Sequence, residues 1–188
     1  MRDGEQENRI ALALVRAAQG DHRAFAELVS THQAMVFSIA LHYLQDRPLA
    51  EDVAQEVFLE LYQSLGAIDS ADHLTYWLRR VAVHRCIDQG RRKIHRRETA
   101  LEGLPEPATE SAVSDPALLR KLRETLEALP EKQRMMVVLR YQEELGPAEI
   151  AELLRMPVNT VKSTLHRSLE EIRTKLARRL GEVRYAIF

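Results

Sequence analysis

The sequence predicts an all-α protein: two small helical domains joined by a flexible acidic linker, the second domain carrying a helix-turn-helix. Three observations carry this reading. Ala, Leu, Glu, Arg and Gln dominate while aromatics make up 5% of the 188 residues, a composition of strong helix formers. Apolar residues recur at intervals of three and four rather than alternating. Residues 98–116, ETALEGLPEPATESAVSDP, then break the periodicity with five acids, three prolines and no Lys or Arg, as a solvated tether does. The expected boundaries are 1–97, 98–116 and 117–188.

In the first domain the apolar positions Ala24, Phe25, Leu28 and Val29, then Val36, Phe37, Ile39, Ala40 and Tyr43, follow helical spacing. Gly20-Asp21 divides this stretch into two helices, with Asp21 placed to cap the second. A third helix begins near Pro48, where Leu49, Val53, Val57, Leu61 and Leu65 recur every four residues and Glu51, Asp52, Gln55, Glu56 and Glu60 fill the other face. A loop over Gly66–Thr75 precedes a fourth helix, lined on one side by Leu78, Ala82 and Cys86. Gly90 is expected to end or loosen that helix.

Net charge is -1, which hides a strong asymmetry. The segment WLRRVAVHRCIDQGRRKIHRR, residues 77–97, holds Arg79, Arg80, Arg85, Arg91, Arg92, Lys93, Arg96 and Arg97 against Asp88 alone. Arg80, His84, Arg91 and His95 share one helical row, and Arg85, Arg92 and Arg96 the next. Such a helix can pack on its own domain while lying along phosphates. A second basic block, Arg155 to Leu180, sets seven Lys or Arg against Glu170 and Glu171. Two basic helical blocks flanking an acidic tether suit one polyanion bound at two separated points.

Beyond the linker, LLRKLRETLEALP and EKQRMMVVLRYQEEL read as two helices, and GPAEIAELLRMPVNTVKSTLHRSLEEIRTKL as two more. Pro147 stands at a first helical position, with Ile150, Ala151, Leu153 and Leu154 facing inward. After the turn Arg155-Met156-Pro157, Val161, Leu165, Leu169, Ile172 and Leu176 form a buried stripe. Asn159, Thr160, Lys162, Ser163, His166 and Arg167 coincide on the opposite face, as in a recognition helix with hydrogen-bonding side chains near its N-terminal end.

These features exclude several classes of function. The single Cys86 cannot form an intrachain disulfide and reads as a small core residue. No signal-peptide core and no span of about twenty apolar residues stands out, so a cytoplasmic protein without membrane insertion is expected. No P-loop, HExxH or Cys/His zinc spacing is present. Neither an enzymatic activity nor a cofactor or metal is expected.

The motifs EDVAQEVFLELY and YWLRRVAV, paired with LPEKQRMMVVLRYQEELGPAEIAELLRMPVNTVKSTLHRSLEEIRTKL, resemble bacterial RNA polymerase sigma factors of the extracytoplasmic-function group of the sigma-70 family. The resemblance covers most of residues 10–180. It implies a factor that binds core polymerase, through the clamp helices of its largest subunit and its flap, and reads the −10 and −35 elements of promoter DNA. An anti-sigma factor is the further partner it implies. Carried over position by position, Asp52, Gln55 and Glu56, with Val57 and Phe58 adjoining, would dock on polymerase. Asp69, Ser70, Asp72 and His73 in the 66–75 loop would capture a flipped base, and Arg80, His84, Arg85, Arg91 and Arg92 would hold the −10 strand. Asn159, Thr160, Lys162, Ser163, His166 and Arg167 would meet the −35 major groove and its phosphates.

The sequence also departs from the family pattern. His84 stands where Asn is frequent, and Arg155 and Asn159 where Gly is common. Thr164 replaces a frequent Arg, which is expected to remove a phosphate contact, and the Gly146-Pro147 helix start is unusual. The alternative from the residues themselves is a stand-alone helix-turn-helix repressor, although no dimerisation helix or ligand domain stands out.

Overall fold

The computed structural model describes the backbone of residues 2–99 and 116–185, with side chains described for residues 4–93 and 120–178. The linker stretch 100–115, the side chains of His95, Arg96 and Arg97, and the end of the chain fall outside the described residues. The chain divides into a unit over Met1–Ile94 and a unit over His95–Phe188. Among the described residues the secondary structure is helical throughout.

The first unit contains α1 (Arg2–Ala18), α2 (His22–Leu44), α3 (Arg47–Ser64), a 3-10 turn (Leu65–Ala67) and α4 (Ala71–Thr99). Asp21 starts α2 as its spacing predicts: Oδ1 accepts from the Arg23 and Ala24 amides at 2.9 and 3.1 Å, while Arg16 donates to Oδ2. A cap of this kind stabilises a helix by about 1 kcal/mol. Gln45 ends α2 in the left-handed region, at φ 53°. Asp46 then caps α3 by accepting from Leu49, with Pro48 in the first turn. Lys93 of α4 clamps this corner, its Nζ 3.1 Å from both the Leu44 carbonyl and Asp46 Oδ2.

Helix α2 packs against α1 on one side and α3 on another. Leu28, Val36, Ile39 and Tyr43 meet Val53, Val57 and Leu61 of α3 and Leu74, Leu78, Ala82 and Cys86 of α4 in the core, all at most 1% exposed. Each large aliphatic side chain buried this way contributes about 1.5–3 kcal/mol. Because it serves several neighbours, α2 is apolar around much of its circumference. At 23 residues and mean hydropathy 1.3 it has the length and composition of a membrane span, contrary to the expectation that no such stretch exists; in this fold about a third of the stretch is buried against the neighbouring helices, while Phe25, Val29 and Phe37 stay half-buried.

Gly90 does not end α4, which continues to Thr99. The glycine is buried, and a Cβ there would lie 3.1 Å from Tyr43 Cε1 and 3.2 Å from its hydroxyl. Close approach to the Tyr43 ring, rather than helix termination, is its role.

The second unit contains α5 (Pro116–Glu127), α6 (Glu131–Tyr141), α7 (Pro147–Leu154) and α8 (Val158–Tyr185). Helix α6 is its centre: Arg134 to Leu139 are all buried, and α7 and α8 both pack on it. Ser168 of α8 donates to Gln133 of α6 at 3.3 Å. Glu149 returns to the N-terminus of α7, accepting from the Gly146 amide at 2.7 Å. The α7–α8 turn passes through Arg155 at φ 51°, and the Met156 amide donates to the Ala151 carbonyl at 2.9 Å. This is the left-handed ending that usually selects glycine.

Candidate functional site

The acidic helix α3 presents two flanks. Val53, Val57 and Leu61 point into the core, so Val57, expected at a docking surface, is 0% exposed and supports the face from beneath. On the flank towards α2, Gln55 and Phe58 join Phe25, Val29, Phe37 and Tyr62 around an open apolar groove of about 780 Å³. Arg47 covers one end, its guanidinium 5.7 Å from the Phe37 ring centre and its Nε 2.9 Å from Glu51. Phe25 meets Tyr62 edge-on at 5.1 Å. Leu59 and Tyr62 stand out to solvent at 63% and 46% exposure, far above what a helix needs for its own core. Asp52 is exposed on the outer face. Glu56 lies on the opposite flank, towards α4.

The groove was missed in the sequence reading. Its signal was present in Phe58, Leu59 and Tyr62, apolar residues off the 53/57/61 row. A helix with an apolar surplus outside its core stripe has a second surface to cover.

The basic row of α4 is less uniformly available than its charge implies. Arg79 is half-buried, with its Nε enclosed and without a hydrogen-bond partner among the described residues, and Lys93 is committed to the α2–α3 corner. Arg85 reaches across to α3, with Nη2 2.7 Å and Nε 3.2 Å from Glu60 and Nη1 3.3 Å from Glu56. The Glu60 hydrogen bond, ahead of the neighbouring carboxylate charges, raises the Arg85 pKa. Arg85 and Glu56, assigned to different partners from the sequence, thus touch each other. Arg80 is half-buried, and His84, Arg91 and Arg92 are exposed. The His84 Nδ1 donates to the Arg80 carbonyl at 2.6 Å, which fixes the orientation of this exposed ring.

The 66–75 segment is only partly a loop. Helix α4 begins at Ala71, so Asp72 and His73 belong to its first turn. Ser70 Oγ accepts from the His73 amide at 3.1 Å, and the His73 Nδ1 bonds Asp69 at 2.9 Å. That hydrogen bond is the first cause holding the Asp69 carboxyl below its ordinary range. The polar groups expected to meet a base are thus gathered at the N-terminus of α4, with Asp69, Ser70 and His73 bonded among themselves. Trp77 beside them is half-buried.

On α8, Asn159, Thr160, Lys162, Ser163, His166 and Arg167 all lie on the exposed face. Their hydrogen bonds are local: Ser163 donates to the Thr160 carbonyl at 3.1 Å, and Arg167 Nε to the Ser163 carbonyl at 3.4 Å. Among the described residues none of Lys162, His166 and Arg167 makes an ion pair. Thr164 is 7% exposed, so this position faces the core and its lack of charge removes no phosphate contact.

Comparison with known proteins follows this division of the chain. The Sigma-70 region 2 family matches residues 28–96, and the family Sigma-70, region 4 matches residues 119–172. The ECF RNA polymerase sigma factor SigW of Bacillus subtilis is 32% identical over 84% of this chain and 91% of its own length. The ECF RNA polymerase sigma-E factor of Escherichia coli K12 is 32% identical over 86% of this chain and 91% of its own. Two solved structures share the fold. CnrH, in complex with the cytosolic domain of CnrY, covers 93% of this chain and 98% of its own at TM-score 0.62 and 21% identity. The sigma factor RpoE of Bartonella quintana, in complex with the anti-sigma factor NepR, covers 81% and 96% at TM-score 0.65 and 16% identity.

Proposed function

The chain belongs to the extracytoplasmic-function group of the sigma-70 family, factors that bind core RNA polymerase and direct initiation at promoters, and from that premise we propose which of its surfaces performs which part. The groove between α2 and α3 docks polymerase. Phe58, Leu59 and Tyr62 supply apolar contact, Gln55 and the exposed acids Asp52 and Glu51 meet a basic helical partner on the rim, and Glu56 meets the same partner from the flank towards α4. The observation that carries this is the coincidence of an unfilled apolar groove with an acidic edge on one helix. The same groove fits the amphipathic helix of an anti-sigma factor, which would inhibit by occupying the polymerase site.

The N-terminal end of α4 and its outer row, with Asp69, Ser70, Asp72, His73, Arg80, His84, Arg85, Arg91 and Arg92, hold the opened −10 strand. Unstacking a base costs a few kcal/mol, which contacts from this row offset. The outer face of α8 enters the −35 major groove: Lys162 and Arg167 read base edges, Ser163 and His166 flank them, and Asn159 and Thr160 bind phosphate near the helix start. Residues 1–97, 98–116 and 117–188 act as the −10 domain, tether and −35 domain. Binding energy opens the strands, so the chain works in the cytoplasm as a non-enzymatic initiation factor.

The test is transcription from the source genome by bacterial core polymerase with the purified protein. Promoter-specific transcripts that disappear in Asp52→Arg, Gln55→Arg, a variant leaving the Arg85 bridge intact, support the docking face. Sequence-specific DNA binding by the protein alone, with no transcripts, would establish the repressor instead.

A further inference from the structure

Arg85 lies where the two proposed surfaces of the first unit meet. Its guanidinium spans two carboxylates one helical turn apart on α3, Glu60 through Nη2 and Nε and Glu56 through Nη1. The side chains are 43%, 36% and 47% exposed for Arg85, Glu60 and Glu56, so all three remain within reach of another molecule. Glu60 makes the shorter contacts and is the less exposed acid; Glu56 makes the single long one and is the more open to a partner. A nucleic-acid phosphate approaching Arg85 must displace the carboxylates and sit beside them, and like charges at that range repel.

We propose that Glu60 is a positioning residue, which holds Arg85 against the acidic flank of α3 and withholds it from single-stranded DNA until a cation of the docked polymerase takes Glu56. This rests on the reading that Glu56 faces polymerase and Arg85 faces the strand. A cation on Glu56 removes one acceptor and places like charge next to the guanidinium. The Glu60 contact that remains is an exposed ion pair, which holds its partners by no more than about five-fold. A phosphate competes with it through a charge-assisted bond and the release of a counterion. Docking and strand capture are thereby coupled through one side chain, with no movement of either helix.

The test measures binding of a fluorescein-labelled, mixed-sequence single-stranded DNA to the full chain as a function of salt, with and without core polymerase. Free Glu60→Gln protein is expected to bind about two- to five-fold more tightly than the parent, with a salt slope steeper by about 0.7, the signature of one added phosphate contact on a single strand. The difference should vanish in an Arg85→Ala background, where a general loss of negative charge would still act, and shrink once polymerase is bound. An unchanged slope in Glu60→Gln, with strand binding by holoenzyme weakened by Arg85→Ala, would refute the withholding role and leave Arg85 as a strand contact. Holoenzyme indifferent to Arg85→Ala would remove Arg85 from the DNA surface and overturn the premise together with the proposal.

Discussion

The two cationic helices, α4 and α8, carry similar charge and present it in opposite ways. On α4, Lys93 is engaged with Asp46 and the end of α2, Arg85 with Glu56 and Glu60, and Arg79 is turned into the half-buried side. On α8, Arg173 and Lys175 pair with Glu170 and Glu171 further along the helix, whereas Lys162, His166 and Arg167 on its N-terminal half stand exposed with no acidic partner among the described residues. The cause is the neighbour. Helix α4 runs beside an acidic helix in its own unit, whereas the outer face of α8 has its packing residues Val161, Leu165 and Ile172 on the other side. Counting charge along a sequence measures supply; packing decides how much is available to a phosphate.

If α8 reads bases and α4 grips backbone, the sharpest contrast comes from removing one arginine from each. Arg167→Ala should cost about 1–3 kcal/mol of promoter binding, some five- to 150-fold, and relax discrimination at one position of the upstream element. Arg92→Ala should weaken binding much less, equally across sequences, and flatten the salt dependence by one phosphate contact. Holoenzyme affinities on a panel of upstream-element variants decide between them. Equal, sequence-independent losses for the two would break the contrast.

The helices also differ in what fixes their seating. In α4, Gly90→Ala gains roughly 1 kcal/mol of helix propensity, yet the new methyl would lie 3.1 and 3.2 Å from the ring and hydroxyl of Tyr43, a 0% exposed side chain that must shift by a few tenths of an ångström to admit it. Overpacking of this kind costs about 1–3 kcal/mol, so the net effect is destabilisation of the first unit, read by urea unfolding; a stabilised Gly90→Ala protein would show that Tyr43 can move. In the turn before α8, Arg155 holds φ 51°, a conformation glycine adopts without the Cβ penalty. Arg155→Gly should therefore stabilise the second unit by up to about 1 kcal/mol, while losing whatever phosphate contact the arginine makes.

Much of this was legible in the sequence, and the failures have a common origin. Asp21 as a cap, Pro147 in a first turn and the 161/165/172 stripe were readable because each depends on a few neighbouring residues. The polar face of α8 was readable because it is simply what the stripe leaves over. The Glu56–Arg85 bridge spans 29 positions, and Gly90 is explained by Tyr43, 47 residues before it; neither has a local signature. Val57 and Thr164 were misjudged for a related reason: a position on a functional motif and a position on a functional face are different things when the helix turns 100° per residue.

His32 offers the smallest effect, and it tests the interior of the first unit, where this α2 side chain is buried and the Arg79 charge of α4 acts on it. Its ring is 6% exposed, with Nδ1 2.9 Å from the Leu28 carbonyl. Burial, first, and the Arg79 charge lower its pKa against the opposing Leu28 hydrogen bond. The folded state therefore holds His32 neutral where the unfolded chain, titrating near 6.5, takes up a proton. Between those two values the unfolded state binds more protons, so stability falls as pH falls. The loss begins as pH drops through about 6.5 and is complete below the lowered native value. The chain's single cysteine reports it: Cys86 is 0% exposed in the same unit, its thiol pushed up to about 12 by burial, so alkylation proceeds through opening of the unit. Normalised to the denatured protein, labelling should accelerate from about pH 7 to 5.5 in the parent and less in His32→Gln, which retains a donor for Leu28 but no titrating ring. Equal acceleration in both would assign the acid sensitivity to groups other than His32.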